Sequence, residues 1–174
     1  VAMTQKYPQN QFGWKVLGAV FRASGRQHEA MTTIQKAVTL APNDAQAHSA
    51  LGVTLKDLGR LEEAEASYRY AIALKPDFAE VHINLGNALG ELSRLEEAEA
   101  SYRQAIALKP DFAEAHINLG NALKDLGRPE EAEASFRQAV SLKPDFAVAH
   151  SNLGRVLKDL GRPEEAEASY RQAI

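Results

Sequence analysis

The sequence predicts an all-α solenoid of 34-residue helix-turn-helix units, and three observations carry that reading. Prolines stand at 8, 42, 76, 110 and 144, each 34 residues after the last. Glycines at 18, 52, 86, 120 and 154 and alanines at 30, 64, 98, 132 and 166 keep the same step. Residues 79–112 and 113–146 are identical at 26 of 34 positions, so the chain is one unit copied. With the proline set at position 32, the units are 11–44, 45–78, 79–112, 113–146 and 147–174. Residues 1–10 have the register of the tail of a preceding unit, with Pro8 in step, and the last unit stops at position 28. Both ends therefore cut through a unit, as expected of a piece of a longer chain.

Each element follows from its apolar spacing. In the fourth unit Ala115, His116, Leu119, Leu123 and Leu126 recur three or four apart, which predicts a first helix. Gly127-Arg128-Pro129 breaks it. A second amphipathic run begins at Glu130, carries Ala132, Phe136, Ala139, Val140 and Leu142, and ends at Lys143-Pro144. Pro129 and Pro163 stand at a first helical turn, where the missing N–H costs nothing. The paired glutamates there (Glu62-Glu63, Glu96-Glu97, Glu130-Glu131, Glu164-Glu165) suit the positive end of the helix dipole. Asp77 with Glu80, and Asp111 with Glu114, have the spacing of capping boxes at the start of the first helix. Glu65–Arg69, Glu99–Arg103, Glu133–Arg137 and Glu167–Arg171 are i,i+4 ion pairs on the second helix. Glycine at position 8 and alanine at positions 20 and 27 let helices approach closely. Leucine at 7 and an aromatic at 24 (Tyr68, Tyr102, Phe136, Tyr170) fill the remaining space. One helix pair cannot bury both its faces, so stability must come from stacking neighbours.

Composition narrows the function. Among 174 residues, 45% are hydrophobic and 25% charged, with a net charge of −3. That balance argues against a nucleic-acid binder, which carries a basic excess on one face. The chain has no cysteine, which excludes disulfides, thiol catalysis and cysteine-ligated zinc. No apolar run approaches the roughly 18 residues of a membrane span, and no secretory signal is visible. A cytoplasmic setting is the default expectation.

The first unit reads Trp14, Leu17, Gly18, Phe21, Ala30, Ile34, Pro42; units two to four carry His48, His82 and His116 in place of the tryptophan. This pattern resembles the tetratricopeptide repeat along essentially the whole chain. The run His-Ile-Asn-Leu-Gly-Asn-Ala-Leu at 82–89 and 116–123 also resembles repeats of O-linked N-acetylglucosamine transferases and of bacterial multidomain relatives. The resemblance implies a right-handed superhelix whose first helices line a concave groove. It implies that positions 2, 5, 6, 9, 12 and 13 face that groove.

Position 6 holds Asn84, Asn118 and Asn152, and position 9 holds Asn87, Asn121 and Arg155; Lys124 and Lys158 stand at position 12. An asparagine amide offers a donor and an acceptor, so it can pair with a peptide unit whatever its side chain. First helices stacked about 10 Å apart would meet an extended peptide, rising about 3.3 Å per residue, at every third residue. In the glycosyltransferase relatives, asparagines at this position hold extended polypeptide in this way. The same residues also fit a solvated polar face with no ligand. A second family mode pairs a lysine at position 2 with the asparagine at 6 to clamp a C-terminal carboxylate. Here position 2 is Phe12, Gln46, Glu80, Glu114 and Val148, so the lysine half is missing.

No catalytic constellation emerges. The glutamate pairs recur in several units, whereas catalysis needs one perturbed site. His48, His82, His116 and His150 sit a full helix spacing apart, too far to share a metal, and point to packing at the tryptophan position. No cofactor is expected. The expected function is a non-catalytic scaffold that binds a protein or peptide, without nucleic acid or membrane. Two alternatives stand beside it. One is a self-assembling array joined end to end through uncapped terminal units (Ala166, Tyr170 and Ala173 at the C-terminal one). The other is a substrate-recruiting segment of a larger enzyme such as a glycosyltransferase.

Overall fold

The computed structural model describes residues 9–173, and the register of Pro8 and the rest of the leading tail lies outside them. The described residues form ten α-helices and no strand. These are α1 (Gln11–Ala23), α2 (Gln27–Leu40), α3 (Ala45–Asp57), α4 (Leu61–Leu74), α5 (Ala79–Glu91), α6 (Leu95–Leu108), α7 (Ala113–Asp125), α8 (Pro129–Leu142), α9 (Ala147–Asp159) and α10 (Pro163–Arg171). The chain divides after Ala88 into two compact units. In the first, α1 packs on α2, α2 on α3, and α3 on α4, with a lighter contact between α1 and α3. In the second, α6 packs on α7, α7 on α8, α8 on α9, and α9 on α10, with a lighter contact between α7 and α9.

Within a pair, the helices meet where a side chain is missing. A Cβ added at Gly52 would lie 2.5 Å from Cε1 of Tyr68. At Gly120 it would lie 2.6 Å from Cε1 of Phe136, at Gly154 2.7 Å from Cε1 of Tyr170, and at Gly18 2.5 Å from Cδ1 of Ile34. Each distance is well inside van der Waals contact. A mid-helix glycine costs stability relative to alanine, so its use here marks the close approach of a ring to helix backbone. Tyr68 and Phe136 are wholly buried, as are Ala30, Ala64, Ala98 and Ala132.

The turn between the helices of a pair is a Schellman stop. The amide of Arg60 donates to the carbonyl of Leu55, and Arg26, Arg94, Arg128 and Arg162 do the same five residues back. The residue before each arginine adopts left-handed backbone, with φ of 73° at Gly25, Gly59, Gly127 and Gly161. Ser93 takes this place in the third pair at φ 60°. It carries a Cβ into a conformation that L-residues avoid.

The capping-box expectation needs correction. Asn10 caps α1 by accepting from the amides of Phe12 and Gly13, and Asp44 caps α3 by accepting from Gln46 and Ala47. At α7 the cap position is Phe112, with no side-chain cap bond, so Asp111 and Glu114 form no box. Asp77 is displaced in the same way, because the first helical acceptor is the carbonyl of Phe78. The reason is one residue of register: Pro-Asn-Asp-Ala puts the acid next to the helix, whereas Pro-Asp-Phe-Ala puts a phenylalanine there. That ring instead lies under a lysine ammonium, at 4.8 Å for Lys75 on Phe78 and 4.4 Å for both Lys109 on Phe112 and Lys143 on Phe146.

Two outcomes follow from this packing. Gly120→Ala should lose roughly 1–3 kcal/mol by overpacking in urea melts, and Phe136→Leu in the same chain should cost less than it does alone. Ser93→Gly should gain about 1 kcal/mol by relieving left-handed strain, seen as a melting point a few degrees higher.

Candidate functional site

The predicted polar positions fall in stripes along single helices. On α7, Asn118, Asn121 and Lys124 are spaced three apart, and on α9 Asn152, Arg155 and Lys158 repeat that spacing. Asn84 and Asn87 form the corresponding short stripe on α5. Asn84, Asn87, Asn118, Asn121, Lys124 and Asn152 are half-buried, while Arg155 and Lys158 are exposed.

In the second compact unit the two stripes touch. Asn152 Nδ2 donates to Asn121 Oδ1 at 3.3 Å, and Arg155 Nη2 donates to Asn152 Oδ1 at 2.8 Å. Three of the predicted residues therefore join into one hydrogen-bonded chain spanning α7 and α9. The chain does not saturate the amides. An asparagine has two N–H donors and two lone pairs, so Asn152 retains one of each after these bonds. Lys124 lies 3.7 Å from Asp125, a loose pair that leaves its ammonium available. The spacing within one helix was legible in the sequence; the amide-to-amide bond was not, because it joins residues 31 apart and depends on how α9 lies against α7.

The first compact unit is different in character. Phe12 is 59% exposed and Val16 46% exposed on α1, so the exposed side of this helix is apolar there. Beside them Lys15 Nζ donates to Asp44 Oδ2 at 2.7 Å and to Gln46 Oε1 at 3.2 Å. Asp44 thus caps α3 and anchors α1 at once. Sequence reading missed this contact, since position 5 is a lysine only in the first unit.

The histidines are explained by a bond that spacing alone does not reveal. Nε2 of His48, His82, His116 and His150 lies 2.8, 3.1, 3.2 and 2.8 Å from the carbonyl oxygen of Pro42, Pro76, Pro110 and Pro144. Facing a carbonyl, this nitrogen is the protonated donor. Each histidine pins the proline turn six residues before it to the following helix.

The carboxylates of the second helices are held by arginines. Arg128 donates through Nε and Nη2 to Glu131 at 2.6 and 2.7 Å and through Nη1 to Glu99 at 2.6 Å. Arg103 closes the group from Glu99 at 2.9 Å and reaches Glu131 at 3.4 Å. The pattern recurs one step on, where Arg162 joins Glu165 and Glu133, and Arg137 joins Glu133 at 2.7 Å. Glu99 and Glu133 are the covered members, with side chains 14% and 10% exposed. Burial pushes the Glu99 carboxyl up, but the hydrogen bonds and charges of Arg128 and Arg103 outweigh it and hold it below its ordinary value. The hydrogen bond from Arg128 likewise holds Glu131 down. These carboxylates link one helix pair to the next. Among the described residues no three His, Asp or Glu side chains converge on a metal position. No described helix is long and apolar enough to cross a membrane.

Comparison with known proteins places this geometry. Profiles described as tetratricopeptide repeat match residues 83–145 and 117–174, 33–66 and 16–44, and one described as TPR repeat matches 54–93. No curated protein sequence matches the chain. Solved structures do. A MamA crystal structure is 26% identical, covers 90% of this chain and 91% of its own, and superposes with a TM-score of 0.82. The pilF protein of Pseudomonas aeruginosa is 25% identical over 94% of this chain and 74% of its own, with a TM-score of 0.87. YrrB, described as a TPR protein with an unusual peptide-binding site, shares the fold at 20% identity over 99% of this chain and 89% of its own, TM-score 0.76.

The ion group makes a signed prediction. A carboxyl whose folded pKa is depressed contributes stability in full above its unfolded pKa of about 4.3 and loses it as pH falls through the lower folded value. Glu99→Gln should therefore destabilise by roughly 1–2 kcal/mol at neutral pH. The gap between variant and parent should close in urea melts repeated in acid below that range.

Proposed function

Because this chain belongs to the tetratricopeptide repeat family, we propose that it is a non-catalytic protein-interaction scaffold that holds an extended peptide on its first helices. Asn84 grips peptide backbone in the first compact unit, and Asn118 and Asn152 grip it in the second. Asn87, Asn121, Arg155, Lys124 and Lys158 set register and a preference for acidic side chains.

The observation that carries this reading is the bonded set Asn121–Asn152–Arg155. It holds two amides of neighbouring first helices at fixed orientation before any ligand arrives, so little side-chain entropy remains to be lost on binding. A peptide amide can add to the unused donor and acceptor of Asn152 without breaking the existing bonds. Arg155 and Lys158, both exposed, lie one turn apart on the same helix and supply positive charge along the peptide's path. The comparisons support the coarser part of the reading: the fold is that of interaction repeats, and YrrB is an example of it with a peptide-binding site. No catalytic family accompanies the matches, and the carboxylates that resemble paired acids are committed to arginines.

Selection from a random peptide library tests this, run on the chain beside an Asn84→Ala/Asn118→Ala/Asn152→Ala variant of equal helicity by circular dichroism. The expected outcome is peptides recovered by the parent and lost by at least tenfold in the variant, two or more backbone bonds at about 1 kcal/mol each. Equal recovery by both would move the binding surface elsewhere.

A further inference from the structure

The asparagine stripes are not the only surface with the makings of a recognition site. An open slot of about 410 Å³ lies in the second compact unit between α6 and α8, with α7 as its floor. Leu119 and the ring of His116 form the floor, Ile106 and Arg103 line the α6 side, and Ala134 and Gln138 line the α8 side. The slot is apolar at its base and polar at its rim. Small side chains on α8 leave it open.

The chain itself displays what fits such a slot. The corresponding place in the second helix pair has His48 where this one has His116, and Tyr70 where this one has Gln138, 68 residues earlier in both cases. There Tyr70 lies over His48 with ring centroids 4.4 Å apart and planes inclined at 55°, a favourable aromatic geometry. Both histidines are oriented alike, since each is tied through Nε2 to the proline carbonyl six residues before it. That bond lies in the ring plane and leaves the ring face for stacking. In the fourth pair the histidine keeps this bond while the tyrosine that would cover it is replaced by glutamine.

We propose that the slot over His116 is a docking site for a tyrosine side chain presented by a partner protein, which takes the place that Tyr70 fills within the chain. The base supplies the stacking ring of His116 and the methyls of Leu119 and Ile106. The rim supplies the polar complement. Arg103 spends Nε and Nη2 on Glu99 and Glu131, which leaves Nη1 to donate to the phenol oxygen, and the Gln138 amide faces it from the other wall. Tyrosine satisfies both halves of the slot, whereas phenylalanine satisfies only the base and an aliphatic side chain has no ring to stack. The site shares no residue with the asparagine stripes, so it stands or falls separately from peptide binding there.

The test uses the full chain with labelled isoleucine and leucine methyls, titrated with N-acetyl-Ala-Tyr-Ala-amide and its phenylalanine and leucine analogues. The tyrosine peptide should shift the methyls of Ile106 and Leu119 and the ring signals of His116, with the leucine peptide about tenfold weaker. Gln138→Tyr should abolish these shifts, because its own ring then covers His116 as Tyr70 covers His48. Gln138 is exposed, so the variant should keep the parent's helicity; Ala134→Leu, which fills the slot from the same helix, provides a second block. Tyr70→Gln should open the earlier slot and add shifts at Leu51. The asparagine triple variant should leave the Ile106 and Leu119 shifts unchanged. Absence of those shifts in the parent, equal shifts with the leucine peptide, or shifts that persist in both blocked variants would overturn the proposal.

Discussion

Within a helix pair, the second helix lies close enough to the first that a ring or branched side chain rests on bare glycine backbone. Gly52 under Tyr68, Gly120 under Phe136, Gly154 under Tyr170 and Gly18 under Ile34 repeat this contact. It fixes the separation of the two helices, since the ring can come no nearer and a Cβ would force it away. It also fixes where the turn must lie, because helices this close need a tight reversal. The left-handed residue at the Schellman stop supplies that reversal. Much of the packing in a pair is a consequence of this one approach.

Between pairs the forces are of another kind. The histidine-to-proline-carbonyl bonds tie each turn to the helix that follows. The Glu99–Arg128 and Glu133–Arg162 pairs tie α6 to the turn that starts α8, and α8 to the turn that starts α10. Exposed ion pairs contribute little singly. These differ in that one carboxylate of each group is largely covered and is shared by two guanidinium groups. Directional contacts of this sort act on register, while the alanine-rich helix faces supply the burial. The two roles are divided among different residues, which lets the outer polar positions vary without disturbing the stack.

That freedom is visible along the chain. Units that agree at most positions carry different residues at outer ones, while the residue resting on the glycine changes only among Ile34, Tyr68, Phe136 and Tyr170. Position 26 is Lys36, Tyr70 or glutamine, and the first helices carry Phe12 and Val16 on α1, asparagines on α5 and α7, and Arg155 and Lys158 on α9. The same backbone thereby offers a series of surfaces of different chemistry.

The repeat length, the helical character of both halves of a unit, the glycine-alanine packing positions and the i,i+4 ion pairs were legible in the sequence, because each rests on spacing within about one turn or on the copy number of a motif. The caps were misread at Asp77 and Asp111, where one residue of register moves an acid off the cap and a phenylalanine onto it. The stripes of asparagine and basic residues could also be placed on their helices. What spacing could not supply were the contacts between residues about 30 apart: Asn121 with Asn152, Glu99 with Arg128, Lys15 with Asp44. These depend on the angle and offset at which one helix lies on the next. Those quantities are set by the packing of whole side chains across two surfaces. The sequence alone determined what each helix carries on its faces; only the tertiary structure decided which of those faces meet, because helix packing fixes neighbours that local periodicity leaves free.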